Sequence, residues 1–317
     1  MSSQSPLSLP PPPQPPAPPA PRSPRVARAR RDVWAFLAVV AVTATALSAA
    51  LIGAGRRIDD QPLLVVSLMF TPASVSIALR LIGRQGFGDV SFRPHLRSSW
   101  RWYLLVWLMP ITIGLLAYGI GWSTGLTPLR QDIGATHLVV KIALNATAGV
   151  LLNAVLAAGE EIGWRGYLLP RMVQAGMRWP VLTTSLVWWL FHIPLILAGL
   201  YASGPSTPFA ALVFLGPVLT LGALAGWSRL ATGSVWPAVI LHATWNAVIQ
   251  GVFDEVTVGD GPRADRNVWI GESGLFVAGA CILLMTMVWW WHHGGASVRV
   301  SSRQNAGRRT SRCWPMS

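Results

Sequence analysis

The sequence predicts an all-α protein, a polytopic membrane helical bundle of about eight transmembrane helices. Three observations predict it. Of 317 residues, 52% are hydrophobic and only 12% are charged, against about 25% charged in soluble domains. The apolar residues gather in eight runs near the roughly 20 residues that a helix needs to cross the hydrocarbon core. The 25 cationic residues, all arginine except Lys141, fall mainly in alternate gaps between those runs. A net charge of +13 would otherwise suggest nucleic acid. Arginines confined to alternate loops are a topology signal instead, so the expected surroundings are a lipid bilayer and no nucleic-acid partner is expected.

The elements follow in order. Residues 1–31 are proline-rich and end in a basic collar; proline runs favour extended polyproline II and cannot build a core. A disordered cytoplasmic tail is expected there, not a signal peptide, because the apolar run behind it has full membrane length. The runs span about Val33–Gly53, Pro62–Ile82, Tyr103–Trp122, Leu138–Ala158, Pro180–Leu200, Phe209–Leu230, Val235–Phe253 and Ser273–Trp291. Residues 165–178 are mixed and predict a short interfacial helix. The chain thus divides into the tail, three N-terminal helices over 32–137, a core of helices four to seven over 138–252, an acidic outer loop with the last helix over 253–292, and a basic cytoplasmic tail over 293–317.

Arginines crowd the N-terminal tail, the loop after run two (Arg80, Arg84, Arg93, Arg97, Arg101), the segment after run four (Arg165, Arg171, Arg178), the loop after run six (Arg229) and the C-terminal tail. The connection YASGPSTP after run five has no charge, and the loop before run eight is acidic (Asp254, Glu255, Asp260, Asp265, Glu272). The positive-inside rule then places both termini in the cytoplasm with an even number of crossings, a multi-pass protein of the plasma membrane. Arg56 and Arg57 count mildly against this, although Asp59 and Asp60 accompany them. Abundant Arg, Ala, Gly and Pro suggest a GC-rich, bacterial source. On this count Glu160 and Glu161 close run four at its cytoplasmic end. Tryptophans near run ends, such as Trp100, Trp179 and Trp290, read as interfacial anchors, and His292 and His293 as a snorkelling interface pair. Cys281 and Cys313 support neither a disulfide framework nor a Cys-based zinc site.

Chemistry concentrates in the segment GEEIGWRG, Gly159–Gly166. A charge at the bilayer centre costs about 2.5–3.5 kcal/mol on insertion scales, so an ionisable cluster in an apolar run marks a functional site. Residues four apart share a helix face. Glu161 can therefore hold Arg165, while Glu160, about 100° away, faces the bundle on the stripe of Asn153. Two later runs carry Trp188-x-x-x-His192 and His242-x-x-x-Asn246, each again on one face. A carboxylate helped by an imidazole can deprotonate water, and a second histidine with an asparagine amide can bind the oxyanion of a cleaved amide. The blander readings are a solvated ion pair, an interhelical hydrogen bond and helix glue. Three such pairs on three helices favour one shared cavity. Two histidines and a glutamate could alternatively hold zinc, although no HExxH is present. No GxSxG occurs, and no serine or cysteine nucleophile stands out.

The ordered triplet resembles the CAAX protease and bacteriocin-processing (CPBP, or ABI) family of intramembrane proteases, which includes the CAAX prenyl protease 2 type. Its EExxxR motif corresponds to Glu160, Glu161 and Arg165. Its FxxxH motif corresponds to Trp188 and His192, with Trp188 in place of the usual phenylalanine, a departure expected to affect packing more than chemistry. Its HxxxN motif corresponds to His242 and Asn246. The resemblance covers residues 138–252 and implies an eight-helix endopeptidase acting on a membrane-bound peptide or protein, with its site open toward the cytoplasm. It implies water activation by Glu160 with His192, oxyanion binding by His242 and Asn246, and support from Glu161 and Arg165, with either glutamate able to serve as base. It implies no certain cofactor, because both a metalloprotease and a metal-independent glutamate scheme have been assigned to the family. A non-catalytic immunity or scaffolding protein would use the same groups structurally. A transporter would use the carboxylates as a proton relay, but no internal repeat of the transporter type is evident.

Overall fold

The computed structural model describes residues 24–55, 58–202, 204–258, 268–288 and 290. The proline-rich run, Arg56 and Arg57, the His292–His293 pair and the basic C-terminal tail lie outside the described residues. The architecture is an all-α polytopic membrane bundle. Six helices among the described residues are long and apolar enough to cross a bilayer: α1 (Pro24–Gly53), α2 (Pro62–Ile82), α3 (Leu96–Thr124), α4 (Ala135–Gln174), α5 (Pro180–Leu197) and α6 (Thr207–Thr232). Two shorter elements complete it. Helix α7 (Trp236–Trp245) passes into a π-helical stretch, Asn246–Asp254, and α8 covers Leu275–Val288.

The bundle has two distinct ends. At one end Arg28 donates from Nη2 to the Gly83 carbonyl at 2.6 Å and Arg30 from Nε to the Ala175 carbonyl at 3.3 Å, tying the start of α1 to the ends of α2 and α4. Trp236 donates to the Phe92 carbonyl at 2.6 Å, bringing the start of α7 to the same end. At the other end residues 125–134 meet residues 254–258 through an antiparallel bridge between Leu129 and Thr257. Gln61 there donates to the Leu51 carbonyl at 3.4 Å across the α1–α2 connection. The arginines of the described residues crowd the first end; the second end has Arg130, paired with Asp132 at 2.9 Å.

Helix α4 differs from the sequence expectation in two ways. It does not stop at the glutamates and continue as an interfacial helix over 165–178. It runs on through a π-turn, Trp164–Leu168, into Leu169–Gln174, and Trp164, Arg165, Tyr167, Leu168 and Leu169 are all fully buried. At 1.5 Å per residue, about 21 Å of helix separates Glu160 from Gln174. The glutamates therefore lie within the depth of the bundle, not at its cytoplasmic end. Mixed polarity suggests an interface here, but Arg165, Arg171 and Tyr167 point into the bundle and, of the arginines, only Arg178, at the end of the stretch, is exposed.

Two glycines set the depth of the pair. A Cβ on Gly159 would lie 2.9 Å from the Phe70 ring and 3.0 Å from the Met69 carbonyl oxygen, and one on Gly163 only 2.3 Å from Pro72 Cβ. Gly159-x-x-x-Gly163 is thus a small-residue stripe along which α2 and α4 approach closely, and it fixes Glu160 opposite the middle of α2. The π-turn beyond it has a sequence cause. Pro170 has no N–H to return to the preceding turn, so the carbonyls of Arg165 and Gly166 need other donors. Arg229 of α6 donates from Nε to the Arg165 carbonyl at 3.1 Å, and Arg80 of α2 from Nη2 to the Gly166 carbonyl at 3.0 Å. A buried polar cluster backs this turn. Arg80 and Arg171 both pair with Asp89, Arg171 donates to Gln85 at 2.8 Å, and Gln85 donates to Asp32 at 2.8 Å.

Candidate active site

The three sequence pairs come together on α4, α5 and α7. Glu160 and Glu161 are 2% and 1% exposed, so each needs partners, since an isolated buried charge is far costlier than a paired one. Glu161 has them: Arg165 donates from one nitrogen, Nη1, to its two carboxylate oxygens at 2.9 and 3.0 Å. The Nδ1 of His242 lies 3.1 Å from Glu161 Oε1. A carboxylate accepts, so this nitrogen carries the proton, and His242 Nε2 is left for other contacts. Buried pairs with such partners orient as well as neutralise.

Glu160 is satisfied differently. Its Oε2 accepts the indole N–H of Trp188 at 2.8 Å and that of Trp164 at 3.3 Å. Trp188 was expected to matter mainly for packing, yet it makes a polar contact that a phenylalanine could not make. It also lies beneath the Arg165 guanidinium, 4.8 Å from its ring centre, and meets both His192 and His242 edge-on, at centroid distances of 5.8 and 5.3 Å. Removing its N–H while keeping an aromatic ring isolates that contact. Trp188→Phe is expected to leave the protein folded and to slow peptide cleavage by about tenfold or more, the size of a hydrogen bond to a charged group, 1.5–3 kcal/mol. Turnover of a membrane peptide by the purified variant checks this; an unchanged rate would make the indole N–H dispensable.

His192 is held on α5 by its own helix. Its Nδ1 lies 2.8 Å from the Trp188 carbonyl, four residues back. A carbonyl only accepts, so Nδ1 is the protonated nitrogen and Nε2 offers a lone pair. Phe191, Tyr201 and Phe214 surround the imidazole with centroids 5.3–5.5 Å away, which locks the ring plane.

Glu160, His192, His242, Asn246 and Asn153 line one cavity of about 450 Å³, within the range of small-ligand pockets. Glu161 and Arg165 stand behind that wall. Behind the histidines lies a much smaller cavity of about 20 Å³, lined by His192, His242, Asn246, Tyr201 and Glu272. Glu272 is 8% exposed, and the Trp245 indole donates to it at 2.5 Å. Sequence reasoning missed Glu272 by grouping it with the acidic outer loop. The signal that singled out Glu160, an acid bordering an apolar run, applied to it as well. Trp164 was missed because its position, four residues after Glu160, read as interfacial.

A catalytic zinc takes three protein ligands and one open position. Among the described residues no group of three or more His, Cys, Asp or Glu side chains gathers to hold a metal ion. Glu161 is engaged by Arg165 and His242, and Oε2 of Glu160 by two indole donors, so a metal here would have to use Glu160 Oε1 and the two imidazole Nε2 atoms.

Comparison with known proteins gives one family. Residues 141–248 match the model described as Type II CAAX prenyl endopeptidase Rce1-like. No curated protein matches the chain.

Proposed function

We propose, for a chain whose residues 141–248 form a CAAX/Rce1-like intramembrane protease domain, that Glu160 is the general base of a water-mediated peptide hydrolysis. The chain is a multi-pass membrane protein with the CAAX-type endopeptidase function of that family, and its substrate is a membrane-associated protein or peptide. The observation that carries the reading is the convergence of Glu160, His192, His242 and Asn246 on one cavity. A water between Glu160 and His192 would give its proton to the carboxylate while His192 Nε2 accepts its other hydrogen and orients it. The oxygen adds to the scissile carbonyl. The oxyanion then accepts hydrogen bonds from the Asn246 amide and from His242 Nε2. Since Nδ1 of His242 already donates to Glu161, Nε2 can donate only in the doubly protonated ring, so Glu161 and Arg165 set the state and aim of that histidine. Glu160 returns its proton to the leaving amine as the carbon–nitrogen bond breaks. Preorganised donors of this kind are each worth about 10²–10³ in rate.

We further propose that the protein alone activates the water, that the catalytic core spans 138–252, and that all eight helical elements cross the membrane. The π-extended α7 supplies 10 and 9 residues in its two parts, near the length of a crossing. A bacterial plasma membrane with both termini cytoplasmic fits the arginine distribution.

The test is cleavage of a membrane peptide by purified protein. His192→Ala and His242→Ala are each expected to lose about two to three orders of magnitude in turnover, the size of a lost acid–base or oxyanion contact. Exhaustive chelation of the wild-type protein is expected to leave turnover unchanged. Full activity in both histidine variants would overturn their catalytic roles, whereas no cleavage by the wild-type protein would favour a non-enzymatic immunity or scaffolding role. Loss on chelation, restored by zinc, would overturn only the metal-independent scheme.

A further inference from the structure

The cavity has a direction. Its far wall is formed by Ile58 and Pro62 at the α1–α2 connection, Tyr201 at the end of α5 and Gln250 in the π-stretch of α7. Gln250 donates to the Tyr201 hydroxyl at 3.3 Å across this rim. All four belong to the end where residues 125–134 meet residues 254–258. Toward the opposite end the path from Glu160 is blocked. Trp164, Arg165, Tyr167, Leu168 and Met172 are fully buried beneath it, and the Arg80–Asp89–Arg171 cluster with Arg229 closes the layer below. The site is a well with a polar floor and an apolar shaft, open at one end of the bundle and plugged at the other.

Charge identifies the ends. Besides Arg165 in the site, the plugged end carries twelve arginines among the described residues, from Arg25 to Arg229. Among the described residues the open end has Arg130 and Lys141, each paired with a carboxylate, Asp132 and Glu255, together with a connection at 198–206 whose sequence carries no charge. Lysine and arginine in short loops mark the cytoplasmic side. The plugged end therefore faces the cytoplasm.

We infer that the catalytic well is reached from the non-cytoplasmic side of the membrane, so that the substrates are membrane-tethered polypeptides whose scissile bond lies at or beyond the outer leaflet. This reverses the cytoplasmic access implied by the resemblance, and it rests on the catalytic reading above only for what enters the well. The shaft suits an uncharged, extended segment, since Ile58, Pro62, Val65, Leu68 and Leu195 line it and its carboxylate and imidazoles are at the floor. A substrate with a short apolar stretch beside the cleavage site could enter along α2 from the outer leaflet. One with basic residues there would have to desolvate them.

The experiment reads access separately from chemistry. In the full chain with Cys281→Ala and Cys313→Ser, single cysteines are placed at Ile58, Gln250 and Arg97, and spheroplasts are treated with a membrane-impermeant maleimide before or after permeabilisation. Ile58→Cys and Gln250→Cys are expected to label in intact spheroplasts, and Arg97→Cys only after permeabilisation. The reverse pattern overturns the inference, as does an absence of label at both rim positions under either condition. In a second arm, a reporter tethered by one helix carries its cleavable segment on the outer side, and modification of Ile58→Cys is expected to abolish its cleavage. A reporter left uncleaved by unmodified protein, with the labelling pattern as expected, would count against proteolysis and not against outward access.

Discussion

Glu160→Gln is expected to lower peptide turnover by about 10²–10⁴-fold, the usual contribution of a positioned general base, with little change in stability. The substitution keeps the volume and leaves an oxygen that can still accept the Trp188 and Trp164 indole hydrogens at the positions where Oε2 now accepts them. It removes the negative charge and the second oxygen that would take the proton from water. Because the group acts on the reacting water and not on the bound peptide, the loss should fall on kcat with KM nearly unchanged. Single-turnover cleavage of a membrane peptide, with the intrinsic tryptophan signal compared during thermal unfolding, measures both. A variant that unfolds with the wild type and still cleaves at more than about a tenth of its rate would remove Glu160 from the role of base.

Much of this was legible in the chain, and the exceptions have physical causes. Apolar runs and arginine spacing were enough for the helical bundle and the two ends. Spacing of four residues was enough for the Glu161–Arg165 contact, since that neighbour relation is a property of a single helix. What spacing cannot reveal is depth and partner. The spacing of Gly159 and Gly163 does not name the helix they meet, and it is their contacts with Phe70 and Pro72 that place the glutamates at mid-bundle. Trp164, Arg171 and Tyr167 read as interfacial because amphipathic side chains usually are. In the fold they are consumed by contacts from α1, α2, α5 and the α2–α3 connection, which no local pattern encodes. The direction of the well was equally invisible. It depends on which ends of α2, α5 and α7 line the cavity, a matter of tertiary packing, whereas the resemblance supplied only a general expectation of cytoplasmic access. Trp188 is a milder instance: its aromatic character was readable, but the aim of its N–H at Glu160 follows from the α4–α5 crossing.

Arg165→Met is expected to destabilise the protein by about 3–5 kcal/mol, the cost of breaking a buried ion pair by removing one partner. Arg165 is 0% and Glu161 1% exposed in their side chains, so the orphaned carboxylate cannot turn to water. Its one remaining close partner would be His242, at 3.1 Å. The guanidinium also covers the Trp188 ring, and a methionine of similar reach keeps much of that packing, which makes the lost charge the dominant effect. The double variant Glu161→Gln with Arg165→Met removes both charges. It is expected to recover most of the lost stability, because a neutral amide in that position leaves no buried anion and can still accept from His242. Thermal unfolding in detergent, followed by tryptophan fluorescence, should therefore rank the single variant well below both the wild type and the double variant. Catalysis should not recover in parallel. An amide holds the Nδ1 hydrogen of His242 without the negative charge beside it, so the doubly protonated ring that donates to the oxyanion loses its counter-charge. A double variant that is both stable and fully active would show that Glu161 and Arg165 serve the fold alone. A single variant as stable as the wild type would show that the carboxylate finds another partner within the bundle.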